Sequence, residues 1–128
     1  MPPTKLRCVW LSRHAPTPAQ RESLSGYYII QIDQSFRDAK EAWREACRAG
    51  KPDLIMAVLP THMMAQFIRL ARPIPVIRAR MDWRGDWGRD PVWTGKWEIA
   101  EDVAVHYGQF SPDEFYQRQV NGGLRALS

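Results

Sequence analysis

Residues 9–20 read VWLSRHAPTPAQ, a stretch that passes from an apolar strand through a polar turn into a helix. The turn places His14 directly after the strand. Thr17 suits the N-cap of the helix, Pro18 suits its first position, and Gln20 stands where its side chain reaches back to complete a capping box. Groups just beyond the carboxyl ends of strands line the ligand crevice of open α/β sheets. The stretch therefore predicts a strand-to-helix unit with a site around His14.

The composition indicates one globular domain. The chain has 128 residues, of which 45% are hydrophobic and 25% are charged. We expect a single domain over residues 1–128, with a core at 6–81, a tryptophan-rich extension at 82–110, and a helix with a tail at 111–128. The net charge of +4 favours anionic partners such as nucleotides or RNA. Since no apolar run approaches the roughly 20 residues of a membrane span, we expect no membrane partner and a cytoplasmic location.

Four apolar segments alternate with helical segments in the proposed core. The predicted strands are 6–11, 27–32, 53–59 and 75–81. This alternation predicts an α/β fold, a Rossmann-like parallel sheet of about four strands with flanking helices and right-handed crossovers. We expect the strand order 2-1-3-4, in which the loops after the first and third strands flank one crevice.

Polar residues follow the predicted strands where that crevice would lie. His14 follows the first strand and His62 follows the third, and these are the candidate catalytic residues. Thr17 also has a purely structural explanation as a helix cap, and Thr61 is expected to cap the third helix. Arginines and helix N-termini together favour an anion. The candidate ligand-binding residues are Ser12, Arg13, Thr17, Gln34, Ser35, Thr61, Arg78 and Arg80.

The tryptophan-rich segment at 83–97 holds four of the six tryptophans. One interpretation is that these rings cover a sheet edge or a subunit interface. The alternative is that the Trp83–Trp97 segment stacks the bases of RNA, with Arg84 and Arg89 on the phosphates.

The remaining residues predict a strand and a helix. Val103, Val105 and Tyr107 alternate as in a final strand, which we expect to form a hairpin with residues 93–99. Ser111 then opens a short helix that is expected to end before Gly122-Gly123.

Metal and cofactor motifs are missing from the sequence. The three histidines are not spaced as metal ligands and no acidic cluster accompanies them, so no metal is expected. No G-x-G-x-x-G follows the first strand and no G-x-x-x-x-G-K-[ST] occurs, so no dinucleotide or ATP cofactor is expected. Cys8 and Cys47 lack Cys-x-x-Cys spacing and indicate reduced thiols.

The turn after the first strand resembles a motif of the histidine phosphatases. Leu11-Ser12-Arg13-His14-Ala15-Pro16-Thr17 is similar to the Arg-His-Gly motif of that family, with Ala15 in place of Gly. Residues 54–62 resemble the later strand-and-histidine segment of the same family. The resemblance implies a phosphohydrolase, reduced in size, in which His14 becomes phosphorylated.

A second resemblance covers residues 6–81. The pattern His14-x-x-Thr17-x-x-Gln20 after a first strand is similar to small CRISPR-associated Rossmann-fold (CARF-like) proteins, some of which are ring nucleases. It implies a homodimer in antiviral defence that binds cyclic oligoadenylate across the strand ends and opens it without metal. In such a reaction a ribose 2′-hydroxyl attacks its own phosphate, with His14 as base or charge stabiliser.

The leading hypothesis is therefore a CRISPR-associated ring nuclease that takes cyclic oligoadenylate or another phosphate-rich nucleotide. The alternatives are a non-catalytic nucleotide sensor, an RNA-binding module and a reduced histidine-phosphatase-like phosphohydrolase.

Overall fold

The computed structural model describes residues 5–82, 92–101 and 106–127. Its strands are β1 (Leu6–Leu11), β2 (Tyr27–Ile32), β3 (Leu54–Ala57), β4 (Val76–Asp82), β5 (Val92–Glu101) and β6 (His106–Phe110). Its helices are α1 (Pro18–Ser23), α2 (Ala39–Ala46), α3 (Thr61–Ala71) and α4 (Pro112–Leu127). Within these ranges, no helix has the length and apolar character needed to cross a membrane.

The strands of the described residues form one six-stranded sheet in the order β2-β1-β3-β4-β5-β6. β1 pairs in parallel with β2 and β3, and β3 pairs in parallel with β4, which confirms the predicted order 2-1-3-4. β4, β5 and β6 pair antiparallel in turn. The α/β class is therefore confirmed, but the sheet is mixed, and the Rossmann-like parallel arrangement holds only for its first four strands.

Two cores cover the two faces of the sheet. Central strands of a parallel sheet bury both faces, which explains why all four residues of β3 are buried. On one face, Val9 of β1 packs in a cluster with α2 and α3, including Phe67. On the other face, Trp10 packs in a cluster with Trp97 and with Phe115 of α4. Neighbouring residues of β1 thus anchor opposite sides of the domain.

The tryptophan-rich extension joins the sheet and one of these cores. Trp97 is 2% exposed, and its ring lies edge to face with that of Trp10, with 6.0 Å between centroids. The ring of Trp93 lies 5.2 Å from that of Trp97. Trp97 therefore packs inside the chain's own core. Five other residues named for this extension lie outside the described residues: Trp83, Arg84, Arg89, Val103 and Val105.

Two helix ends differ from the predictions. The N-cap of α3 is Pro60, without a side-chain cap, and Thr61 is the first helical residue, so the expected cap at Thr61 is wrong. α4 continues through Gly122-Gly123 to Leu127, so the expected early end is also wrong. Each glycine lowers the stability of a helix by only about 1 kcal/mol relative to alanine. A helix whose first turn is already stabilised tolerates this loss. The Ser111 hydroxyl accepts the main-chain N–H of Glu114 at that start, over 3.3 Å.

The sheet has a step at the carboxyl ends of its central strands. β3 ends at Ala57, two residues short of the predicted end, and Val58, the next residue, is 66% exposed. β4 continues to Asp82, although its register with β3 ends at the pair Met56 and Ile77. The far part of β4 therefore stands above the end of β3 and forms one wall of a cleft.

Candidate functional site

A cleft of about 920 Å³ lies at this step, between the loops after β1 and β3 and the extended part of β4. The strand order reverses between β1 and β3, which is where open α/β sheets bind ligands. Methionine and aliphatic side chains form much of the lining. Its polar and charged residues are Ser12, His14, Thr17, Gln20, Arg78, Arg80 and Glu98.

The loop after β1 is held by two hydrogen bonds to the backbone of His14. The indole Nε1 of Trp10 donates to the His14 carbonyl over 2.8 Å, and the Ser12 hydroxyl accepts the His14 N–H over 3.1 Å. The side chain of Gln31 donates to the Ser12 carbonyl over 3.1 Å. Ser12 is buried, whereas His14 is exposed at the cleft. Ser12 therefore shapes the loop, and His14 is the residue that the loop presents.

Thr17 both caps α1 and lines the cleft. Its hydroxyl accepts the Gln20 N–H over 3.2 Å, and the Gln20 side chain accepts the Thr17 N–H over 3.0 Å. The predicted capping box is therefore confirmed. Because the hydroxyl accepts this bond, its own proton can still be donated to a ligand.

Arg78 and Arg80 form a cluster with Glu98 and Tyr107. Residues two apart on a strand share a face, so both arginines lie on the same side of β4. Arg78 Nε lies 2.8 Å from Glu98 Oε2, and Arg80 Nε lies 3.8 Å from Glu98 Oε1. The guanidinium carbon of Arg78 lies 3.3 Å from the centroid of the Tyr107 ring. Two positive charges thus share one carboxylate, which leaves a net positive charge on this wall.

The other predicted site residues do not line the cleft. Thr61 and His62 are exposed in the first turn of α3, and Gln34 and Ser35 are exposed in the loop between β2 and α2. Arg13 pairs with Asp33 over 3.7 Å, with both side chains more than half exposed. The expectation that the loops after the first and third strands flank one crevice is met, but by Val58 and Leu59 for the third strand, not by His62.

Trp10, Glu98 and Tyr107 belong to the site although the sequence did not single them out. Trp10 lies inside the strand that leads to His14, and this position is the feature of the sequence that could have identified it as a site residue. Glu98 of β5 lies opposite Arg78 of β4, and Tyr107 of β6 lies opposite Ala100 of β5. No local pattern in the sequence marks these last two residues.

Burial shifts the pKa of two groups in the core that α4 covers. It raises the pKa of the Cys8 thiol to about 12, which a backbone hydrogen bond with Met56 partly opposes. Burial also raises the pKa of Tyr27, whose hydroxyl donates to the Pro112 carbonyl over 2.7 Å. Neither group lines the cleft, so these shifts concern stability at alkaline pH.

Neither a metal centre nor a relative identifies the site. In the part of the chain that the structure describes, no three His, Cys, Asp or Glu side chains are grouped as metal ligands. No protein-family model matches the chain, and neither a curated protein nor a solved structure matches it. The function proposed below therefore rests on the residues of the chain itself.

Proposed function

We propose that the cleft binds a phosphate-rich nucleotide and that the protein is a metal-independent ring nuclease acting on cyclic oligoadenylate. The observation that carries the proposal is the convergence of His14, Arg78 and Arg80 on one cleft at the reversal of strand order. A guanidinium binds phosphate through charge-assisted hydrogen bonds or stacks on a flat base, and an imidazole can act as a general base. These are the groups that a phosphodiester substrate needs.

The apolar part of the cleft suits a nucleobase. Val58 and Met81 are 66% and 37% exposed, and both line the cleft beside Met56, Leu59 and Met64. Ligand pockets of roughly 300 to 1,000 Å³ combine such surfaces with a few polar groups that orient the ligand. A volume of about 920 Å³ accommodates a nucleotide unit on this basis.

A ring of several adenylates repeats the same base and phosphate around its circumference. Two chains related by a two-fold axis would present two copies of the cleft, because an isologous pair uses the same surface on both sides. We therefore propose that the active form is a homodimer. The resemblance of residues 6–81 to CARF-like proteins supports this, and with it a role in CRISPR-associated antiviral defence in the cytoplasm.

The proposed reaction uses a nucleophile that the substrate supplies. A ribose 2′-oxygen attacks the phosphorus of its own 3′-phosphate, and the new bond replaces the bond to the neighbouring 5′-oxygen. His14 takes the proton of the 2′-hydroxyl, and the leaving 5′-oxygen gains a proton from water. Arginine at the phosphate stabilises the negative charge that develops. The products are a 2′,3′-cyclic phosphate and a 5′-hydroxyl.

The test is to incubate the purified protein with cyclic tri-, tetra- and hexa-adenylate in the presence of EDTA. We expect at least one ring to yield linear oligoadenylates with 2′,3′-cyclic phosphate ends, identified by mass spectrometry. Binding of a ring without turnover would support the non-catalytic sensor instead. Failure to bind any ring would overturn the proposal, and tighter binding of single-stranded RNA would favour the RNA-binding module.

A further inference from the structure

The guanidinium of Arg78 is fixed on one face and along one edge. Tyr107 covers the face, with 3.3 Å between the Arg78 guanidinium carbon and the ring centroid. Glu98 Oε2 accepts from Arg78 Nε over 2.8 Å along the edge. The Arg78 side chain is nevertheless 46% exposed and lines the cleft. The face turned away from Tyr107 is therefore the surface that Arg78 offers to a ligand.

Arg80 is held much more loosely by the same carboxylate. Its Nε lies 3.8 Å from Glu98 Oε1, beyond hydrogen-bond distance, and its side chain is 55% exposed. Glu98 compensates the charge of Arg78 through a direct hydrogen bond. The charge of Arg80 is compensated less, so Arg80 attracts an incoming anion more strongly. The two arginines of one strand face thus differ in geometry.

We propose that the two arginines have separate roles, in which Arg78 stacks on a purine base and Arg80 binds a phosphate. This inference rests on the proposed function, because it assigns the parts of a nucleotide within the same cleft. A guanidinium is planar and stacks on flat rings, and stacking needs the fixed orientation that Tyr107 and Glu98 provide. A phosphate is attracted most strongly by the guanidinium whose charge Glu98 compensates least, and that is the guanidinium of Arg80. Arg78 is then a determinant of base specificity in this site.

Two probes that differ only in the base separate these roles. Adenosine 5′-monophosphate and ribose 5-phosphate share the sugar and the phosphate, and their affinities can be measured by NMR titration of the labelled protein. Arg78→Lys keeps the positive charge but removes the planar guanidinium. We therefore expect it to weaken adenosine 5′-monophosphate binding about tenfold and to leave ribose 5-phosphate binding unchanged. Arg80→Ala should weaken both probes by a similar factor.

A second variant addresses the orientation of Arg78 without changing its charge. Tyr107→Leu removes the supporting ring, and we expect the same loss for adenosine 5′-monophosphate alone. Equal weakening of both probes by Arg78→Lys, or no weakening of either, would overturn the division of roles while leaving nucleotide binding intact. If the parent protein bound neither probe nor any cyclic oligoadenylate, the proposed function itself would fail, and the assignment of Arg78 with it.

Discussion

The indole of Trp10 donates a hydrogen bond to the main-chain carbonyl of His14 over 2.8 Å. Trp10 is 3% exposed in the core, so a buried side chain fixes the loop that presents an exposed histidine. The Ser12 hydroxyl fixes the same backbone from its N–H side. Both contacts fix the main chain of His14, so neither of them uses its imidazole side chain.

Trp10→Phe tests this coupling between core and site. The substitution keeps an aromatic ring but removes the donor to His14, so we expect a loss of about 1 to 3 kcal/mol in the free energy of unfolding. We also expect ring opening to slow by about tenfold, because a misplaced catalytic group loses alignment. Urea unfolding and single-turnover rates measure the two effects.

Trp97→Phe is the matched control for that variant. It removes an indole donor from the same aromatic cluster, but that donor bonds the Ser23 hydroxyl over 3.1 Å, not the loop of His14. We expect a similar loss of stability with a nearly parental rate. An equal loss of rate in both variants would show that core packing in general, rather than the bond to His14, governs activity.

His14→Ala should slow ring opening by about 10²-fold to 10⁴-fold, the usual contribution of a positioned acid or base. Since His14 is exposed, the free energy of unfolding should change by no more than about 0.5 kcal/mol. His62→Ala is the control, because that histidine is also exposed but does not line the cleft, and it should retain the parental rate. A trapped phosphohistidine at His14 after exposure to a phosphomonoester would support the phosphatase hypothesis instead.

Thr17→Ala removes the side-chain cap of α1, so we expect a loss of about 1 kcal/mol in the free energy of unfolding, most of which Thr17→Ser restores. The hydroxyl also lines the cleft, so ligand affinity is measured on the same variants. If Thr17→Ala weakened binding while stability stayed unchanged, the contact with ligand would be the dominant role of this residue.

Glu98→Gln should tighten the binding of ribose 5-phosphate, because it removes the carboxylate that competes with phosphate for Arg80. We expect a gain of about threefold to tenfold at low salt that shrinks as the ionic strength rises. Glu101→Gln, a substitution of an exposed glutamate on the same strand outside the cleft, is the control and should have little effect. Unchanged or weaker binding in Glu98→Gln would mean that Glu98 does not compete with the ligand.

Stability should fall between about pH 9 and pH 12 because of Cys8. Burial raises the pKa of this thiol to about 12 in the folded state, so folding favours the neutral thiol. The contribution of the neutral thiol to the free energy of unfolding is fully present below the unfolded pKa of about 8.5. It is lost as the pH rises through the folded pKa. Cys8→Ala should therefore flatten the dependence of the unfolding free energy on pH under reducing conditions, without abolishing it, since Tyr27 titrates in the same direction. An unaltered pH dependence in Cys8→Ala would contradict this account.

Local and periodic features of the fold were predictable from the sequence. The capping box of Thr17 and Gln20 depends on residues three apart, and the central strands β1 and β3 depend on continuous apolar runs. The alternation of these strands with helices predicted a parallel sheet, and the order β2-β1-β3-β4 was an expectation that this alternation alone does not determine. The placement of His14 at a cleft followed from that order.

The partners of the predicted cleft residues were decided by the tertiary structure. Glu98 meets Arg78 because the antiparallel register of β5 and β4 places these two residues opposite each other, before the register shift between Ala79 and Met81. A shift of one residue at this pair would have turned Glu98 to the opposite face. Tyr107 reaches Arg78 through β6, a further strand away. His62 lies outside the cleft because β3 ends at Ala57 and the next residues, Val58 and Leu59, occupy the rim. Periodicity assigns a side chain to a face of its own strand, but the partner across the sheet depends on a register between distant segments, which no local pattern encodes.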